Sequence, residues 1–94
     1  MTSSAANSPD VVMYSTTWCP FCERARALLD RKSVTYREIK IDEDPDQRAE
    51  MLERSGGRRT VPQIFIGDTH VGGFDELYAL DRSGELDHLL GRAG

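Results

Sequence analysis

The sequence is short of the residues that define several common classes of small protein. Two cysteines among 94 residues are too few for a disulfide-stapled secreted framework and too few for a tetrahedral zinc site. Neither His70 nor His88 stands at a Cys/His spacing that would complete such a site, so no metal is expected. No apolar run approaches the ~20 residues of a membrane span, which leaves no membrane partner to expect. Basic charge is scarce too: 12 Lys+Arg against 16 Asp+Glu give −4, and the one dense basic spot, Arg58-Arg59, is small for a nucleic-acid-binding face. Met1 to Pro9 hold neither a basic cluster nor the roughly 7–15-residue apolar stretch of a secretory signal. They read as a disordered tail ahead of one domain over residues 10–94, in a cytoplasmic protein without internal repeats or low-complexity segments. In that compartment disulfides are normally transient, so a cysteine pair is expected to be catalytic, redox-sensing or metal-binding rather than structural.

What is present alternates between strand and helix. Val11-Val12-Met13-Tyr14 is apolar without alternation, the pattern of a central strand covered on both faces. Phe21, Ala25, Leu28 and Leu29 then recur at helical spacing, with Glu23, Arg24, Arg26, Asp30 and Arg31 on the other face, and this helix is expected to end near Ser33. Val34 to Ile41 reads as a second strand, parallel to the first by the right-handed crossover rule. Asp44-Pro45-Asp46-Gln47 opens a second helix, with Asp44 as cap, Pro45 at the first position and Gln47 at capping-box spacing; Ser55-Gly56-Gly57 stops it. Gly67-Asp68 between Gln63-Ile64-Phe65-Ile66 and Thr69-His70-Val71 predicts an antiparallel type II′ hairpin. A third helix from Asp75 to Arg82 and a short fourth one carrying Leu86, Leu89 and Leu90 complete an α/β order of β-α-β-α-β-β-α-α.

The chemistry concentrates in Trp18-Cys19-Pro20-Phe21-Cys22, where the first strand gives way to the first helix. Cys19 falls at the helix N-terminus, where unpaired amides and the helix dipole favour an anion, so its thiol pKa should drop and its thiolate attack disulfides. Cys22 lies one turn deeper on the same face, within disulfide reach and less exposed, as a resolving thiol should be. A second group, Arg59-Thr60-Val61-Pro62, precedes the third strand. A cis Pro62 there would leave the Val61 backbone free to pair with an extended, peptide-like substrate. In Gly72-Gly73-Phe74-Asp75, two glycines permit close approach, the following helix amides can take a carboxylate, and Asp75 can take an ammonium group.

Cys19-Pro20-Phe21-Cys22, Thr60-Val61-Pro62 before Gln-Ile-Phe-Ile, and Gly72-Gly73-Phe74-Asp75-Glu76-Leu77 together resemble the small bacterial dithiol glutaredoxins, over about Val11 to Leu90. The resemblance implies a thioredoxin-like fold with a four-stranded mixed sheet flanked by helices. It also implies a glutathione-dependent reductase of protein–glutathione mixed disulfides and protein disulfides, with Cys19 as nucleophile, Cys22 as resolving thiol and Pro62 cis. Val61 would pair by backbone with the cysteinyl part of glutathione and Gly73, Phe74 and Asp75 would hold its γ-glutamyl end, with Phe21, Arg59, Thr60 and Pro62 completing the glutathione-binding set. Glutathione is then a co-substrate rather than a bound cofactor, the partners are glutathionylated or disulfide-containing proteins, with ribonucleotide reductase a family-level candidate, and the chain is expected to act as a monomer. Two departures stand out: Thr16 replaces a lysine common three residues before the first cysteine, and Phe21 replaces the usual tyrosine. Thr16-Thr17-Trp18-Cys19 is also similar to mycoredoxins, which makes mycothiol the alternative thiol. An iron–sulfur carrier, with a cluster shared through Cys19 thiolates of two chains, is the non-enzymatic alternative, against which Pro20 argues.

Overall fold

The computed structural model describes residues 9–91. The tail expected over residues 1–9 lies outside them except for Pro9. Four strands, β1 (Val11–Ser15), β2 (Arg37–Lys40), β3 (Gln63–Ile66) and β4 (Thr69–Gly72), form one sheet in the order β2-β1-β3-β4. β1 and β2 are parallel and the other two pairings antiparallel, so the sheet is mixed.

The central strand β1 is buried along its whole length. Its side chains alternate between two cores. Val11 and Met13 join Ala25, Leu28 and Leu29 of α1 (Pro20–Arg31), Leu77 of α3 (Phe74–Ser83) and Leu86 of α4 (Glu85–Leu89). Val12 and Tyr14 face the other way, toward Ile41, Phe65 and Met51 of α2 (Pro45–Arg54). Three helices therefore cover one face of the sheet and a single helix the other.

Two local expectations are corrected. The second strand covers only residues 37–40 rather than 34–41. After α1 the chain turns through Ser33 at φ 58, the Val34 amide donates to the Leu29 carbonyl at 2.9 Å, and Val34 plugs the larger core from a turn instead of pairing. At α2, Asp44 caps as expected by accepting from the Asp46 amide at 3.1 Å. Gln47 does not close a capping box, because its side-chain oxygen is buried without a partner. The β3–β4 turn has Gly67 at φ 58, the positive first position that a type II′ hairpin requires. Beyond it, β4 delivers Gly72-Gly73 to the start of α3.

Candidate active site

Three segments converge at one end of the sheet. The first is the β1–α1 junction. Cys19 is extended, at φ −157, and is the N-cap of α1, with Pro20 in the first helical position where no amide is needed. The Cys22 amide donates to Cys19 Sγ at 3.1 Å, so the sulfur itself closes the helix terminus. An acceptor held there by an amide and the helix dipole is more stable as an anion, which favours the thiolate of Cys19 once reduced. Cys19 and Cys22 are joined in a disulfide with Cα atoms 5.1 Å apart. Cys22 is fully buried and Cys19 is 7% exposed. The order of exposure is the expected one, but Cys19 is more enclosed than a solvent-facing thiol, with the Val61 carbonyl oxygen 3.8 Å from its sulfur.

The second segment is the loop before β3. The Val61-Pro62 bond is cis. Gln63 is fully buried and ties this loop to the edge strand. Its amide nitrogen donates to the Thr60 carbonyl at 3.0 Å and lies 3.3 Å from the Thr60 hydroxyl, while its oxygen sits 2.6 Å from His70 Nε2. With the amide hydrogens committed to Thr60, the oxygen accepts and His70 carries a proton on Nε2. His70 stacks on Phe65 with ring centroids 4.7 Å apart. Burial, reinforced by the nearby Arg58 cation, holds its pKa below the usual histidine value.

The third segment is the N-terminus of α3. Gly73 is its N-cap and has no side chain to offer; instead Glu76 reaches back, and its Oε1 accepts from the Gly73 amide at 2.7 Å. That hydrogen bond is the main cause holding the Glu76 carboxyl below the usual range. Gly72 sits at φ 112, a conformation that favours glycine, and a Cβ there would also lie 2.9 Å from Glu76 Oε1 and displace that carboxylate.

Between these segments opens a cleft of about 170 Å³, bounded by Phe21, by Thr60 to Pro62, and by Gly73 to Glu76, with Arg58 at its side. All the residues singled out from the sequence as ligand contacts line it except Arg59. Arg58 takes that place, with Nη2 4.0 Å from Glu76 Oε2. Glu76, Gln63 and His70 also play parts that were not foreseen. A G-x-x-E reading of Gly73 to Glu76 could have found the first; nothing local signals the Gln63–His70 contact, which exists only once β3 and β4 pair. The cleft thus has a backbone segment, Thr60 to Pro62, at one wall and the first turn of α3 at another, and Cys19 Sγ lies beside it, 3.8 Å from the Val61 carbonyl oxygen.

The sequence model of the glutaredoxin family ("Glutaredoxin") matches residues 11–71. A glutaredoxin of Pseudomonas aeruginosa is 58% identical over 82 residues, covering 87% of this chain and 96% of its own length. The solution structure of a glutaredoxin from Brucella melitensis superposes with a TM-score of 0.78 at 54% identity, covering 90% of this chain and 91% of that one. A crystal structure of a buckwheat glutaredoxin–glutathione complex superposes with a TM-score of 0.78 at 36% identity, covering 93% and 81%.

Proposed function

This chain belongs to the glutaredoxin family, its Cys19–Cys22 pair makes it a thiol–disulfide oxidoreductase, and from that premise we propose that it reduces protein–glutathione mixed disulfides at Cys19 with glutathione as electron donor. The observation that carries the reading is the Cys22 amide on Cys19 Sγ beside the cleft. The Cys19 thiolate attacks the glutathione sulfur of the mixed disulfide; a Cys19–glutathione disulfide forms, and the protein leaves as a thiolate that takes a proton from water. A second glutathione thiolate then attacks the glutathione sulfur on Cys19, giving oxidised glutathione and free Cys19. Alternatively Cys22 attacks Cys19, releases glutathione and forms the internal disulfide, which two further glutathiones reduce. For a protein disulfide, Cys19 attacks one sulfur and Cys22 resolves the resulting covalent complex.

In the cleft, the Val61 backbone pairs with the cysteinyl residue of glutathione. The first-turn amides at Phe74 and Asp75 take the γ-glutamyl carboxylate, and the Asp75 side chain takes the adjacent ammonium. Arg58, not Arg59, offers a cation to the remaining carboxylate. The glutathione complex of the buckwheat relative supports this ligand, and a reducing cytoplasm supplies it.

Trapping tests the thiol directly. Cys22→Ser, oxidised in the presence of equal glutathione and mycothiol, should by mass spectrometry carry glutathione on Cys19. An adduct of mycothiol alone would overturn the choice of thiol.

A further inference from the structure

Next to the cleft, α1 and α3 leave a second groove of about 230 Å³, lined by Arg24, Ala27, Leu28, Arg31, Phe74 and Tyr78. Its apolar part is built from the buried Leu28 and from Phe74 and Tyr78, whose rings stack with centroids 5.8 Å apart. Its rim is cationic. Arg24 and Arg31 are both exposed, and Arg82 lies 5.6 Å from the Tyr78 ring with Nη1 donating to the Tyr78 hydroxyl at 3.0 Å. Among the described residues no acid lines this groove, although the chain as a whole carries −4. Arg31 pairs with Asp81 at 3.8 Å, a carboxylate that Lys32 holds more closely at 3.3 Å while also binding Asp87 at 3.1 Å. Arg24 makes no ion pair among the described residues; it lies over the Phe21 ring, 5.3 Å from its centroid.

The groove is continuous with the cleft. Phe74 lines both, and Phe21, on the cleft side, is capped by Arg24 from the groove side. The exposed large apolar side chains of the described residues are Trp18, Phe21 and Tyr78. One adjoins Cys19, one borders the cleft and one lines the groove. Exposed apolar side chains placed beside Cys19, at the cleft and in the groove fit a contact surface for a partner. Its charge selects the partner.

We propose that the α1–α3 groove docks an acidic, partly apolar segment of the protein substrate, the stretch of chain flanking the cysteine whose disulfide is presented to Cys19. The proposal rests on the thiol–disulfide reading above and extends it from the small thiol to the protein side of the bond. An apolar side chain of that segment packs on Leu28, Phe74 and Tyr78, and its carboxylates meet Arg24 and Arg31. Charges at an exposed rim act mostly on encounter and selection of partner, so the preference should weaken with salt.

Two synthetic peptides decide it, each with one cysteine bonded to glutathione: one flanked by Asp, Glu and Leu, the other by Ser and Gly. Wild-type protein should reduce the acidic peptide with a kcat/KM roughly fivefold to tenfold higher at low ionic strength, the size expected of two rim charge pairs acting on encounter. The advantage should shrink in about 0.5 M salt, where the screening length is only a few ångströms. The Arg24→Glu/Arg31→Glu variant should lose or invert the preference while reducing the neutral peptide at the wild-type rate, which also shows that it folds. Equal kcat/KM for the two peptides in wild type, or an undiminished preference in the double variant, overturns the groove proposal alone. Failure to reduce either peptide overturns the glutathione reading and this one with it.

Discussion

The N-termini of α1 and α3 open onto the same cleft, yet they are closed by different means. At α1 the cap is the side chain of Cys19 itself, and the following Pro20 removes the first amide. At α3 the cap residue is a glycine, and the closure comes from Glu76 at the third helical position, which takes the Gly73 amide and leaves those of Phe74 and Asp75 unclaimed by it. A helix terminus stabilises whatever negative charge stands before it. Where the chain supplies that charge from a sulfur, the terminus favours the thiolate, as the proposed role of Cys19 requires. Where the chain supplies no cap side chain, the proposed function has those donors take a charge brought in by the ligand.

The sharpest way to separate the two termini is to remove the sulfur of the first. Cys19→Ser should abolish turnover, a loss of at least roughly a thousandfold, because an unactivated hydroxyl does not attack a disulfide at neutral pH. It should nevertheless melt close to reduced wild type, since serine is among the best N-caps. Cys22→Ser should keep reducing glutathione mixed disulfides but stall on protein disulfides, because no neighbouring thiol remains at high effective concentration. Assays of both variants on both substrates check the division, and equal losses for Cys22→Ser would show the resolving role to be misassigned.

In the reduced protein, Cys19 should alkylate before Cys22 at every pH below neutrality. Its sulfur has the terminal amide and the slightly greater exposure, while Cys22 is fully buried and a buried thiol ionises less readily. Iodoacetamide labelling followed by peptide mapping reads this, and faster labelling of Cys22 would reverse the comparison of the two sulfurs.

At the α3 end the expected effects are smaller. Asp75→Ala should raise KM for a glutathionylated substrate by about tenfold, the loss of one charge-assisted contact. Glu76 makes the reciprocal cap, so removing Asp75 should cost only about 0.3–1 kcal/mol through the helix dipole. An unchanged KM with a lowered melting temperature would make this terminus purely structural.

Glu76→Gln gives the mildest change. Because the folded pKa of Glu76 is depressed by the Gly73 amide, its stabilisation is complete above the unfolded value of about 4.3 and is lost as pH falls through the lower folded value. The glutamine amide accepts the same hydrogen bond without charge. Because Glu76 is half exposed and its charge is screened, the variant should lose only a few tenths of a kcal/mol, about 0.2–0.5, at neutral pH and show a flatter fall of melting temperature in acid. Identical acid limbs for the two proteins would refute the assignment.

Much of this arrangement was legible because it is local. The unalternating run of β1, the Asp44-Pro45 helix start, the Gly67 turn and the position of Cys19 before Pro20 each follow from a few adjacent residues. The misreadings lie where neighbours in space decide. Val34 is apolar and β-branched like a strand residue, but its burial comes from a turn beneath α1. In the irregular stretch before β3 no periodicity tells which of Arg58 and Arg59 borders the cleft; Arg58 lines it, with Nη2 4.0 Å from Glu76 Oε2. Glu76 itself was masked because a glycine occupies the N-cap, where capping-box signatures are usually recognised by a serine or threonine. The Gln63 link between His70 and Thr60 depends on strand pairing and on complete burial, neither of which the residue types announce.

Trp18 has a consequence of a different kind. It is the one tryptophan of the chain, it is 81% exposed, and it immediately precedes Cys19. Its emission therefore comes from a single indole in water, with the reactive sulfur next in the chain and no second tryptophan to blur the signal. A disulfide is a far better quencher of indole than a thiol, so the fluorescence should brighten on reduction and dim on oxidation. Without any dye, a titration in glutathione redox buffers should then trace the dithiol–disulfide equilibrium optically, with a midpoint near the roughly −200 to −230 mV of glutaredoxins.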